Sequence, residues 1–212
     1  MTKKILIAHF NEDLNWSNNL NFDGDVIVYS KTNKSIPERY VDINKSQEVP
    51  MYLKYIIDNY HNLPDKTLFL HGHSNSIHQD YPSRFICENV KWETADYFSV
   101  NKRDWYQEVS NNYQAPQHNW LKVYWYLFDS YLPFPTDGVF FYSGAQFVVD
   151  KKLILQYPKS FYEKLYVWSI TENINIPPQT SDEISSRILE YTWHYIFTKS
   201  PIETKLSNEQ LF

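Results

Sequence analysis

The sequence predicts an α/β protein, a single domain in which helices flank a central β-sheet. Three observations carry this expectation. Short apolar runs at 5–8, 26–28, 67–70 and 139–142 have the length and composition of buried strands, and each leads into polar residues. A segment of helical period separates the second run from the third, so the chain begins strand, strand, helix, strand, the outline of a nucleotide-binding half-sheet. The 212 residues suffice for one hydrophobic core, and 18% aromatics are far more than a disordered chain carries.

Ile5 to Ala8 form the first strand, which exits into His9-Phe10-Asn11-Glu12-Asp13. Open α/β sheets bind ligands outside the carboxyl ends of their strands, so Asn11, Glu12 and Asp13 are candidate acceptors for a base or ribose, with His9 beside them as a further candidate contact to the bound nucleotide. Asp13 is equally suited to cap the turn Leu14 to Asn18. The second strand, Asp25 to Ser30, delivers Lys31 to the same rim, either as solvated charge or as a partner for a diphosphate. Ser46 to Tyr60 reads as a helix, with Pro50 tolerated in the first turn and Tyr52, Tyr55, Ile56 and Tyr60 at helical spacing. The strand Thr67 to Leu70 then opens into a loop holding His71, His73, His78 and Asp80. Imidazole nitrogens beside a carboxylate suit Mn²⁺, Zn²⁺ or a phosphate-bound metal, although a plain polar surface loop has the same composition.

Residues 81–118 lack a sustained period and read as a long excursion carrying Arg84 and Arg103. Asn119 to Tyr131 has a helical stripe of Leu121, Tyr124, Trp125 and Phe128, stopped by Pro133 and Pro135. The strand Val139 to Tyr142 is followed by Ser143-Gly144-Ala145, small residues that let a ligand approach the backbone. Gln146 is the one long polar side chain there, before the strand-like Phe147 to Val149. Asp150 is placed to cap a helix from Lys151 to Gln156. Ser160 with Glu163, and Thr180 with Glu183, make capping boxes for helices 161–167 and 184–197. On the last helix Glu190 and His194 stand four residues apart on one face, which aims both into one pocket or leaves both as surface decoration. After Pro201 the chain turns polar, so the domain is expected to span 1–200, with 201–212 a tail or a linker to further C-terminal domains.

Composition removes several classes of function. Four glycines leave no Gly-rich phosphate loop of the P-loop or Rossmann kind. A net charge of -5 without a basic cluster argues against nucleic acid as a partner. Cys87 is the only cysteine, so no intrachain disulfide forms and the cytoplasm is the expected compartment. The apolar run after Lys3-Lys4 is too short for a signal peptide, and no run is long enough for a membrane segment.

Five stretches together carry a resemblance. They are Phe10 to Trp16; Glu48 with Tyr52-Leu53 and Asn59-Tyr60; Phe69-Leu70-His71-Gly72; Ser143 to Phe147; and Glu190 with Trp193-His194 and Ile196-Phe197. In this order they resemble a GT-A-type glycosyltransferase-like family, and within it the glycosyltransferase domains encoded by large chlorella viruses. The resemblance implies a GT-A fold with a central mixed sheet, a nucleotide-diphosphate sugar donor, most often a UDP-sugar, and a glycan or glycoprotein acceptor. It also implies a divalent metal, typically Mn²⁺, and for a viral chain a role in capsid glycan synthesis in the host cytoplasm. His71-Gly72-His73 stands where the family's Asp-x-Asp metal motif belongs, and His78-Gln79-Asp80 keeps its one-residue gap. His78 and Asp80 are therefore expected to hold the metal, and His71 and His73 to touch phosphate or ribose. Glu190 is the expected base for the acceptor hydroxyl and His194 its neighbour, with Gln146 and Gly144 bordering the donor sugar and Trp193 stacking on a ring. Two other classes stay open: a metal-dependent hydrolase that activates water with the same histidines, and a carbohydrate-binding module that uses the aromatics alone.

Overall fold

The computed structural model of the chain describes residues 1–110, 116–128, 131–171 and 181–212. Its strands are β1 (Lys3–His9), β2 (Asp25–Ser30), β3 (Lys66–His71), β4 (Tyr97–Ser99), β5 (Tyr106–Val109), β6 (Val139–Tyr142) and β7 (Phe147–Asp150). Five of them form the central sheet in the order β2-β1-β3-β7-β4, while β5 and β6 pair as a separate antiparallel ribbon. β1 is parallel to both β2 and β3; β7 is antiparallel to β3 and to β4, so the sheet is mixed.

The pleat sorts the apolar residues onto two faces. Leu6, Ala8, Phe69, Phe147 and Val149 join one core, and Ile5, Ile7, Leu68, Leu70 and Val148 join the other. Both faces are apolar because helices cover both, which is why the strands read as continuous apolar runs rather than alternating ones. The first face is packed by α1 (Val49–Asn59), α3 (Pro116–Tyr124), α4 (Lys151–Ile154), α5 (Lys159–Thr171) and α6 (Ser181–Thr198). The second is covered by α2 (Ser83–Asn89) and by α7 (Asn208–Leu211), through Ile86, Cys87 and Leu211. Among the described residues no helix is long and apolar enough to cross a membrane.

Three features depart from the sequence reading. The 81–118 excursion contains α2, β4 and β5, and residues 111–115 of it lie outside the described part. The helix expected over 119–131 is α3 followed by a 3₁₀ turn at Trp125–Leu127, with 129–130 outside the described part, as is Thr180 of the second capping box. The expected polar tail instead packs on the domain. Ile202 bridges Phe140, Glu203 is buried with its Oε2 accepting the Tyr142 N–H at 2.8 Å, and Leu211 is fully buried. A capping box between Ser207 and Gln210 starts α7 and fixes the last turn that carries Leu211.

Candidate functional site

The strand order β2-β1-β3 makes β1 and β3 a switch point, where successive connections leave in opposite directions and a crevice opens at the strands' carboxyl ends. The crevice is there. An outer chamber of about 350 Å³ is lined by Ala8, Phe10 and Glu12 after β1, Lys31 after β2, His71, His73 and His78 after β3, and Asn44, Gln47, Glu48 and Met51 around the start of α1. An inner chamber of about 180 Å³ shares Gln47, Glu48, His71 and His78 with it and adds Gly144, Ala145, Arg187 and Glu190. Of the residues the sequence singled out, Glu12, Lys31, His71, His73, His78, Gly144 and Glu190 are thus brought together.

Glu48 stands on the wall common to both chambers. Ser46 and Gln47 before it hold left-handed backbone, φ 57° and 49°, a conformation costly for residues with a side chain. Packing secures it: the Ser46 Oγ donates to the Ser169 carbonyl at 2.6 Å and also bonds the Ser185 hydroxyl, tying the approach to α1 onto α5 and α6. Burial pushes the Glu48 carboxyl up to about 8; the Glu190 carboxylate adds to the rise, and Lys31 and Arg187 oppose it. His71 is driven down to about 3, chiefly by burial and then by His78 and His73. Its Nε2 lies 3.8 Å from a Glu48 oxygen, too far for a hydrogen bond, and finds no partner. The two side chains are therefore a neutral acid and a neutral base facing each other, not an ion pair. His78 is also lowered by burial, and its ring lies against Trp105 and His71. His73 is half-exposed, 3.7 Å from Glu12.

Glu190 is fully engaged. Its Oε1 accepts the Ser143 hydroxyl at 2.5 Å and the Gly144 N–H at 2.7 Å, and its Oε2 accepts from the Arg187 guanidinium at 3.0 Å. It shapes the turn between β6 and β7 more than it presents a lone pair. Gln146 is wholly buried beneath that turn; its Oε1 accepts from the His71 N–H and Gln79 Nε2, and its Nε2 donates to Asn101. It borders the site from below rather than lining it.

Other expected contacts lie elsewhere. His9 bridges the Ser30 hydroxyl and the Glu12 carbonyl, stitching the ends of β1 and β2. Asn11 is exposed outside both chambers, and Asp13 accepts the Asn15 N–H two residues on, just before the 3₁₀ turn whose N-cap position is Leu14. His194 does not join Glu190. Its ring is buried against Phe141, Nε2 pairs with the Pro201 carbonyl at 3.0 Å, and burial lowers its pKa to about 4. Trp193 is buried among Tyr52, Phe147 and Phe197, a core ring with no open face for a sugar. Sequence reasoning gave Glu48 no role beyond its place in the resemblance, because its placement depends on the turn before it, which Ser46 ties to Ser169 and Ser185, over a hundred positions away.

The donor set does not fit the expected metal. His78 faces the chambers, but the Asp80 carboxylate is turned out to accept from the Arg103 N–H at 3.0 Å and Asn208 at 3.1 Å. Among the described residues no three His, Cys, Asp or Glu side chains converge on a point a cation could occupy. Against known proteins, a family model described as a protein of unknown function, DUF3431, matches residues 5–210. No curated protein and no solved structure matches.

Proposed function

The chain belongs to the DUF3431 family, and from the crevice at its sheet's switch point we propose that it transfers a sugar from a nucleotide-diphosphate donor, a UDP-sugar, to a hydroxyl of a glycan acceptor. The observation that carries this reading is the pair of adjoining chambers at the β1/β3 switch point, with Glu48 on their common wall. The mixed sheet, with β7 reversed beside three parallel strands, supports the GT-A form of the fold.

In this proposal the nucleoside occupies the outer chamber, against Ala8, Phe10, Asn44 and Met51. The transferred sugar lies in the inner one, where Gly144 lets it approach the backbone. The acceptor oxygen bonds to the anomeric carbon as the bond from that carbon to the diphosphate breaks, and the acceptor proton passes to Glu48. Glu190 is a positioning residue that fixes the Ser143–Gly144 turn.

A base must be ionised to act, and Glu48 is held up to about 8 by burial and by Glu190, against Lys31 and Arg187. Transfer should therefore speed up roughly tenfold per pH unit below that value and level off above it. Release of nucleoside diphosphate from a panel of sugar donors with glycan acceptors measures this. Glu48→Gln is expected to lower kcat by about 10²–10⁴-fold. Acceptor-independent release, or a Glu48→Gln variant as active as the parent, would sink the reading.

A further inference from the structure

We propose that Glu203 is a positioning residue for the inner chamber, and that the segment after Pro201 thereby belongs to the site: the Glu203 carboxyl holds the turn against which the transferred sugar lies. This rests on the transferase reading and adds to it a residue that touches no substrate.

Gly144 and Ala145 line the inner chamber from the turn between β6 and β7. Ala145 is held in left-handed backbone at φ 50°, beside Gly144 at φ 125°, and such a conformation persists only where the surroundings over-determine it. Three successive backbone N–H groups, each bonded to a different part of the chain, supply that constraint. The Tyr142 N–H donates to Glu203 Oε2 at 2.8 Å, the Ser143 N–H to the Trp105 carbonyl at 3.2 Å, and the Gly144 N–H to Glu190 Oε1 at 2.7 Å. Glu190 thus grips one end of the turn from α6, and Glu203 grips the other from the C-terminal segment.

Glu203 is itself fastened to the strand it serves. The chain at Ile202 runs parallel beside Phe140, with the Phe140 N–H donating to the Pro201 carbonyl and the Glu203 N–H to the Phe140 carbonyl, both at 2.8 Å. The Tyr106 hydroxyl donates to the Glu203 carbonyl at 3.2 Å, and the Arg103 guanidinium lies 3.9 Å from the centre of the Tyr142 ring. Glu203 is buried, so its bond to the Tyr142 N–H forms out of water, where loss of the acceptor leaves a buried donor unpaired. That loss acts on the turn and through it on Gly144. The described lining of the outer chamber comes instead from the ends of β1, β2 and β3, the loop after β3 and the start of α1.

The test compares the parent, Glu203→Met and Glu203→Gln as whole chains, by amide hydrogen exchange, by calorimetric titration with UDP, and by transfer kinetics over a panel of UDP-hexose donors with glycan acceptors. Methionine has a similar reach and only a weak acceptor, whereas glutamine keeps an oxygen for the Tyr142 N–H. In Glu203→Met the amides of Tyr142, Ser143 and Gly144 should exchange at least about tenfold faster and kcat should fall about 10–100-fold, with Kd for UDP within about threefold of the parent. Glu203→Gln should restore both exchange and kcat to within about threefold of the parent. A Glu203→Met variant that turns over like the parent overturns the inference. So does one whose affinity for UDP falls in step with kcat, the mark of a merely structural role, or a Glu203→Gln variant that restores neither. In all three cases turnover by the parent leaves the transferase reading standing. A parent that transfers no sugar from any donor of the panel overturns the transferase reading and this inference together.

Discussion

At Gly144 the turn leaves no room for a side chain: φ is +125°, and a β-carbon would meet Asn101 Oδ1 at 2.6 Å and His78 Cβ at 2.9 Å. Gly144→Ala is therefore expected to lose about 1–3 kcal/mol in urea titration, through backbone strain and a displaced neighbour. His78 would move with it, so activity should fall further than stability alone explains. An unchanged urea midpoint would show that the turn relaxes freely. The same scale shows where local pattern stops being informative. Spacing of four puts Glu190 and His194 on one helix face, but only the packed position of Phe141 and the Pro201 carbonyl decides that His194 turns into the core. Likewise the histidine-rich loop was legible as part of the rim that lines the crevice, whereas the divergence of His78 from Asp80 depends on Arg103 and Asn208, far along the chain.

Elements with their own apolar run could be read directly: β1, β2, β3, β6, β7, α1 and α6 lie within a few residues of their expected positions. β4 could not. It is the three residues Tyr97–Ser99, a strand only because β7 lies beside it, and that pairing spans some fifty positions. The α2 helix has no side-chain cap, and Pro82 before it reads as a breaker. The segment after Pro201 misleads for a related reason: its polar residues include the buried Glu203, and its scattered apolar residues Leu206, Leu211 and Phe212 pack on the cluster of Ile86 and Trp92. Leu211→Ala should cost about 2–4 kcal/mol by chemical denaturation, as for a core leucine. A cost below about 0.5 kcal/mol, the size of surface substitutions, would mean the segment is only laid on the surface.

Across the whole molecule, buried titratable groups set the pH range of the fold. Glu48 and Glu203 rise from an ordinary 4.5 to about 8 and about 7, both chiefly by burial. The native state keeps their protons where the unfolded chain sheds them, so stability falls as pH rises from 4.5 through those values. His71 and His194 drop from 6.5 to about 3 and about 4, again by burial, so the native state refuses protons that the unfolded chain takes, and stability falls as pH drops below 6.5. The opposed slopes cancel between 4.5 and 6.5. Tm should be highest in that window and decline on both sides, each group contributing about 1.4 kcal/mol per pH unit. Glu48→Gln should shallow the alkaline decline, and a Tm that stays level from pH 6.5 to 8 would refute the scheme. Gln146 has its own effect on how the crevice can work. By joining the end of β3, the Gln79 turn and Asn101, it makes the rear wall one stiff block. Admission and escape of a bulky guest then fall to the opposite side, where Phe10 and His73 line the outer chamber with exposed side chains.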